Sequence, residues 1–111
     1  MAVSNDSERT TEHILVCLSS SPSNARIVRT AARMAHAFGG SFTALFIQST
    51  RIERMSPEDR KRLHNSTELA RSLGADIVTV SGEDIPFQIA EVARLCNVTK
   101  VVLGRSNSRR Q

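Results

Sequence analysis

His13-Ile14-Leu15-Val16-Cys17-Leu18-Ser19-Ser20-Ser21-Pro22 opens the folded part of this chain. Its apolar residues, Ile14 to Leu18, run on without the alternation of a half-exposed strand. That is the pattern of a strand buried on both faces, as in a parallel sheet. The run stops at three serines and a proline. Ser21 suits a helix N-cap and Pro22 the first turn, where its missing N–H costs no hydrogen bond. A helix is expected next, because Ile27, Ala31, Ala35 and Phe38 recur at helical spacing. Arg26, Arg29 and Arg33 fall largely elsewhere, and Gly39-Gly40 ends the element.

The strand-helix unit repeats. Phe42-Thr43-Ala44-Leu45-Phe46-Ile47 reads as a second strand and the residues from Gln48 to Met55 as a connection. Ser56-Pro57 opens a second helix, with Glu58 and Asp59 at its positive end and Leu63, Ala70 and Leu73 on its apolar side before Gly74. Ile77-Val78-Thr79-Val80 is the third strand. Asp84 caps a third helix, with Pro86 in its first turn and Ile85, Ile89, Val92, Ala93 and Cys96 as its buried stripe. Thr99-Lys100-Val101-Val102-Leu103 is the fourth strand. Strands alternating with helices imply right-handed crossovers and a parallel α/β sheet. Three segments follow: a flexible lead-in over 1–12, a folded domain over 13–105, and a basic polar tail or linker stub over 106–111.

At 111 residues there is room for one domain and one core. Hydrophobic residues at 40% and charged residues at 23% fit a globular protein rather than a disordered or membrane-embedded one. The first six residues lack the basic-then-apolar order of a signal segment, so a soluble, cytoplasmic chain without direct membrane contact is expected. Cys17 and Cys96 read as small buried hydrophobes, not a disulfide framework. Aromatic residues make up 4%, with Phe38, Phe42, Phe46 and Phe87 the whole supply, too few for a nucleic-acid stacking surface. No nucleic-acid partner is expected. The net charge of +4 favours anionic ligands.

In open α/β sheets ligands bind beyond the carboxyl ends of the strands, where strand order reverses. Ser19-Ser20-Ser21 lies at such an end, beside a helix N-terminus whose free N–H groups suit phosphate. Gly104-Arg105-Ser106 lies at the corresponding end of the fourth strand. If those two strands are neighbours, the serine loop and Arg105 face one crevice, where Arg105 can form charge-assisted hydrogen bonds to a phosphate. The alternative is that Ser21 only caps its helix and Arg105 is solvated. His13, His36 and His64 have no metal-site spacing, and no metal is expected. No serine sits in G-x-S-x-G and no cysteine has a histidine partner, so nothing calls for an enzyme. Arg51, Arg54, Arg60, Lys61 and Arg62 are interrupted by Glu53, Glu58 and Asp59 and read as a solvated loop and helix face.

Three segments carry a family likeness: His13 to Ser21, then Leu69-Ala70-Arg71-Ser72-Leu73-Gly74-Ala75, then Asn97-Val98-Thr99-Lys100-Val101-Val102-Leu103-Gly104-Arg105-Ser106. In order and separation they resemble a universal stress protein domain of the kind found in the cytoplasmic sensor region of KdpD histidine kinases, which control potassium uptake. The resemblance implies a Rossmann-like three-layer sandwich with sheet order 3-2-1-4 and helices on both faces. It also implies a regulatory, non-catalytic domain of a membrane-anchored two-component kinase. The partners it implies are the kinase's other domains and other universal stress proteins.

Many members bind ATP through G-x-x-G-x9-G-[ST] after the fourth strand. Here only Gly104 fits: Asn107 occupies the second glycine position, and Ser19 replaces an acidic residue usual after the first strand. A subset instead binds cyclic di-AMP and carries S-x-S, twenty residues, then F-T-A-x-Y. Ser19-Ser20-Ser21 and Phe42-Thr43-Ala44-Leu45-Phe46 fit that spacing, with Phe46 in place of the tyrosine. The resemblance thus implies cyclic di-AMP as ligand, contacting Ser19, Ser20, Ser21, Phe42, Thr43, Ala44, Phe46, Gly104, Arg105 and Ser106, with no catalytic cofactor. Along the second strand Phe42, Ala44 and Phe46 share one face and Thr43 and Leu45 the other, so not all of them can point into one pocket. A protein-docking domain, using charged helix faces, is the alternative, and an ATP-binding module the third.

Overall fold

The computed structural model describes residues 12–104; the expected lead-in through residue 11 and the tail, with Arg105 and Ser106, lie outside the described residues. Strands β1 (His13–Cys17), β2 (Ser41–Gln48), β3 (Asp76–Ser81) and β4 (Lys100–Val102) form one sheet in the order β3-β2-β1-β4. All three pairings are parallel, with Cys17 opposite Leu45 and Val16 opposite Val102. The helices are α1 (Asn24–Ala37), α2 (Thr50–Glu53), α3 (Pro57–Ser72) and α4 (Ile85–Leu95). The sheet order and the helices on both faces agree with the expected Rossmann-like sandwich.

Pleating divides the core in two. Ile14, Val16, Phe42 and Ala44 face α1 and α3, where Val28, Ala31, Ala35 and Ala70 meet them. Leu15 and Leu45 face α4 and pack on Val92, with Ile89, Ala93 and Cys96 around it. Residues 14–16 are wholly buried because β1 has a strand on each side and helices above and below, as its unbroken apolar run requires.

Local chemistry sets the helix ends. Ser56 accepts from the Asp59 N–H at 3.1 Å and Asp84 from the Phe87 N–H at 3.1 Å, so both caps are as expected, each with a proline in the first turn. Gly39 takes φ +67°, the left-handed conformation that ends α1. At Gly40 a side chain would collide with the Glu12 carbonyl, which accepts from Ser41 N–H at 3.1 Å. Glu12, expected in the lead-in, therefore belongs to the fold.

The structure corrects several other expectations. Ser21 is not the cap of α1: the helix begins two residues later, with Ser23 at the cap and Pro22 in the preceding turn. Phe38 leaves the buried stripe and is exposed, its ring 5.5 Å from the Lys100 Nζ, while Val28 takes the buried position. Leu73 is likewise exposed, because α3 ends there, and Ser66 and Ala70 form its buried side. The connection after β2 contains a short helix, α2. Neither cysteine is fully buried.

Candidate functional site

The chain runs outward from β1 through β2 to β3 and then returns to β4 on the other side of β1, so strand order reverses at β1. Above the carboxyl ends of the strands lies a cleft of about 650 Å³, a volume suited to a nucleotide-sized molecule. Cys17, Leu18, Leu45, Phe46 and Ile47 form its base; Ser19 and Ser20 rise from β1, Ile85 and Ile89 from α4, and Leu103 follows β4. Arg51, Ile52, Arg54 and Met55, in and just after α2, close it from above β2, with Asp59 and Leu63 of α3 beside them.

The serine loop is held by Asn24, the first residue of α1 and only 3% exposed. Its Oδ1 accepts from the Ser19 N–H at 3.2 Å and its Nδ2 donates to the Cys17 carbonyl at 3.0 Å. These two bonds satisfy a buried amide and turn the chain sharply at the end of β1. Within the loop Ser19 Oγ accepts from Ser21 N–H at 3.2 Å, which leaves the hydroxyl proton of Ser19 to be donated outward. Ser21 Oγ accepts from Ser23 N–H at 3.2 Å and lies 3.0 Å from Ser23 Oγ. From the other side Arg62 Nη1 donates to the Ser20 carbonyl at 3.1 Å and to Asp59 Oδ1 at 2.9 Å.

Charge on the cleft is set by what is already paired. Asp59 is neutralised by Arg62, so Arg51 and Arg54 dominate and the site favours an anion. Cys17 shares the base, and burial pushes its thiol up from 9.0 to about 11. It therefore stays protonated at neutral pH, poor as a nucleophile and available as a weak donor. Among the described residues no three His, Cys, Asp or Glu side chains cluster as metal ligands would.

Of the residues expected from the sequence, the structure brings Ser19, Ser20 and Phe46 to the cleft. Ser21 does not line the cleft and is engaged within its loop. Phe42 (4% exposed), Thr43 (2%) and Ala44 (0%) are in the interior, lower on β2. Thr43 Oγ1 lies 2.7 Å from His13 Nε2, and His13 Nδ1 donates to the Cys96 carbonyl at 2.9 Å; in the neutral ring Nε2 then accepts the Thr43 hydroxyl. That network ties β1, β2 and the end of α4 together toward the amino-terminal ends of the strands, away from the cleft. Gly104 follows β4, where a Cβ would press on Ile27 Cδ1 at 2.7 Å. Arg105 and Ser106 lie outside the described residues. The sequence reading missed Asn24, Arg51, Arg54 and Arg62. Asn24 had a usable signal, an amide seven residues past Cys17 at a strand-helix turn. The arginines had none, because acidic neighbours disguise them.

No protein-family model matches the chain. Two relatives are sensor proteins KdpD: that of Clostridium acetobutylicum is 40% identical over 100 residues and that of Escherichia coli 31% over 101. The alignments cover 90% and 91% of this chain but 11% of each relative, so the chain spans about a tenth of their length. Among solved structures, a universal stress protein in complex with cAMP superposes with TM-score 0.64 at 18% identity, covering 89% of this chain and 77% of that one. The universal stress protein of Archaeoglobus fulgidus in complex with dAMP gives 0.54 at 21% identity, covering 85% and 80%. No helix among the described residues is long and apolar enough to cross a membrane. Sequence kinship and architecture converge: the chain is related to one region of the KdpD sensors and has the fold of the universal stress proteins.

Proposed function

We propose that this domain is the cytoplasmic regulatory module of a membrane-anchored, potassium-sensing histidine kinase and that its cleft binds cyclic di-AMP. The observation that carries the reading is the meeting of Ser19, Ser20 and Phe46 with Arg51 and Arg54 around one cleft at the switch point of the sheet. Hydroxyl donors, an aromatic wall and two cations match a ligand made of flat bases and two phosphates. Nucleotides bound by proteins of the same fold, cAMP in one and dAMP in another, support a nucleotide here. Phe46 offers its ring but no hydroxyl, so base packing replaces the tyrosine hydrogen bond. In this reading Phe42, Thr43 and Ala44 shape β2 from within, and phosphotransfer belongs to other domains of the parent kinase.

A second reading, docking of another protein such as a universal stress protein, draws on the exposed row Arg26, Arg29, Arg33 and His36 along α1. Calorimetric titration separates the two. Cyclic di-AMP is expected to bind with a micromolar or tighter constant and ATP at least about tenfold more weakly, a difference of about 1.4 kcal/mol. Ser19→Ala is expected to weaken cyclic di-AMP by about 1 kcal/mol or more. No heat with cyclic di-AMP, or equal binding of ATP, overturns the reading.

A further inference from the structure

The α2 helix has four residues, too few to hold itself together: a first helical turn fixes several dihedral angles for one hydrogen bond. Its order therefore comes from outside, and the structure shows from where. Glu83, in the loop between β3 and α4, reaches across and accepts twice from Thr50 at the start of α2. Its Oε2 takes the Thr50 N–H at 3.0 Å and its Oε1 the Thr50 hydroxyl at 3.1 Å. At the other end of the segment Arg60 Nη2 donates to the Glu53 carbonyl at 3.3 Å.

Glu83 is itself well anchored. The preceding residue, Gly82, donates its N–H to the Gln48 carbonyl at 3.0 Å and extends the β2–β3 ladder by one rung. The following residue, Asp84, caps α4. The backbone carrying Glu83 is thus fixed on both sides, and the carboxylate joins this rigid frame to a segment that brings Arg51 and Arg54 to the cleft.

We propose that Glu83 is a positioning residue for the anion site: it tethers α2 so that Arg51 and Arg54 are presented to the ligand's phosphates. This inference rests on the reading of the cleft as a nucleotide site. It has a distinctive sign. Through charge alone, an acid near the site repels an anionic ligand, so its removal would tighten binding. As a tether, its removal weakens binding, because the arginines must then be ordered at the moment of association.

The test compares the wild-type chain with Glu83→Ala and Glu83→Gln, titrating each with cyclic di-AMP at low and high salt. Ligand-free trypsin cleavage after Arg51 and Arg54, followed by mass spectrometry, supplies a second readout, with thermal melts as a control for folding. Glu83→Ala is expected to lose about fivefold or more in affinity, the scale of two exposed hydrogen bonds, with a shallower salt dependence. It is also expected to be cut faster at both arginines. Glu83→Gln is expected to stay near wild type, since its amide can accept from the Thr50 N–H and donate to the Thr50 hydroxyl. Unchanged or tighter binding by a folded Glu83→Ala overturns the proposal, as does unchanged cleavage. If the wild type does not bind cyclic di-AMP but cleavage responds as expected, the tether stands and the ligand assignment falls.

Discussion

The two faces of the sheet are built unequally. The α1/α3 face buries ten residues around two long helices, whereas the α4 face buries three, Leu15, Leu45 and Val92, under one helix. Several large apolar side chains stay exposed on or next to the thinner half: Phe87 at 54%, Leu95 at 67%, Val101 at 42% and Leu103 at 57%. Since the gain from burial scales with apolar area removed from water, stability is concentrated on the α1/α3 side. The cleft straddles both halves. It takes Leu63 and its serines, whose loop Arg62 holds, from the well-packed side and Ile85, Ile89 and Cys17 from the sparse one. A firm wall thus faces a more yielding one across the site.

The sharpest test of this asymmetry removes the same two methyl groups from each face. Val28→Ala, at a site with no exposure, is expected to cost about 2–3 kcal/mol, and Val92→Ala about 1 kcal/mol, because the sparse face can collapse around the gap. Urea unfolding of both variants measures the difference, and equal losses would show that the two faces are packed alike. Next in size is Asn24→Ala at the top of the α1/α3 side. Loss of two bonds strands the Cys17 carbonyl and the Ser19 N–H and is expected to cost about 2 kcal/mol. Amide hydrogen exchange is expected to rise at Ser19 and stay unchanged in α4.

The smallest effect belongs to the sparse face and is read by pH. The Cys17 thiol titrates near 11 in the folded chain against 9.0 in the open one. Between those values the unfolded state has lost its proton and the folded state keeps it, so stability is full below pH 9 and declines as pH rises toward 11. Cys17→Ala is expected to flatten that decline in urea melts run from pH 8 to 10.5. An unaltered slope would show that Cys17 is more solvated than its neighbours Leu45 and Ile47 imply.

Much of the fold was legible because its signals are local. The unbroken run Ile14 to Leu18 gave β1 its double burial, and Ser56-Pro57 and Asp84 set two helix starts through a single side-chain acceptor each. Where a competing local bond existed, the local signal misled: Ser21 has the chemistry of a cap, yet its hydroxyl serves Ser23 within the turn and α1 starts later. Phe38 has helical spacing, but the helix ends under it. The site was half legible. Ser19 and Phe46 stand at strand ends, which topology alone carries to the cleft. Arg51 and Arg54 depend on a four-residue helix with no periodicity to read, held by a carboxylate thirty-three residues away from Thr50. No window of sequence contains that relation.

The last strand also governs the order in which the molecule can be assembled. β4 has three residues and pairs with β1 alone, through bonds such as Thr99 N–H to the His13 carbonyl at 2.9 Å and His13 N–H to Thr99 Oγ1 at 3.0 Å. Those partners are 86 residues apart, so closing this seam means bringing together the two ends of nearly the whole domain. The β1–β2 and β2–β3 pairings span far shorter loops and can form beforehand. A chain from which Thr99 onward has not yet emerged therefore displays β1 as a bare, largely apolar edge, the kind that recruits strands from other chains. Docking of the five residues from Thr99 through Leu103 is what retires that hazard, and Lys100 places a charge on the new outer strand as it does so.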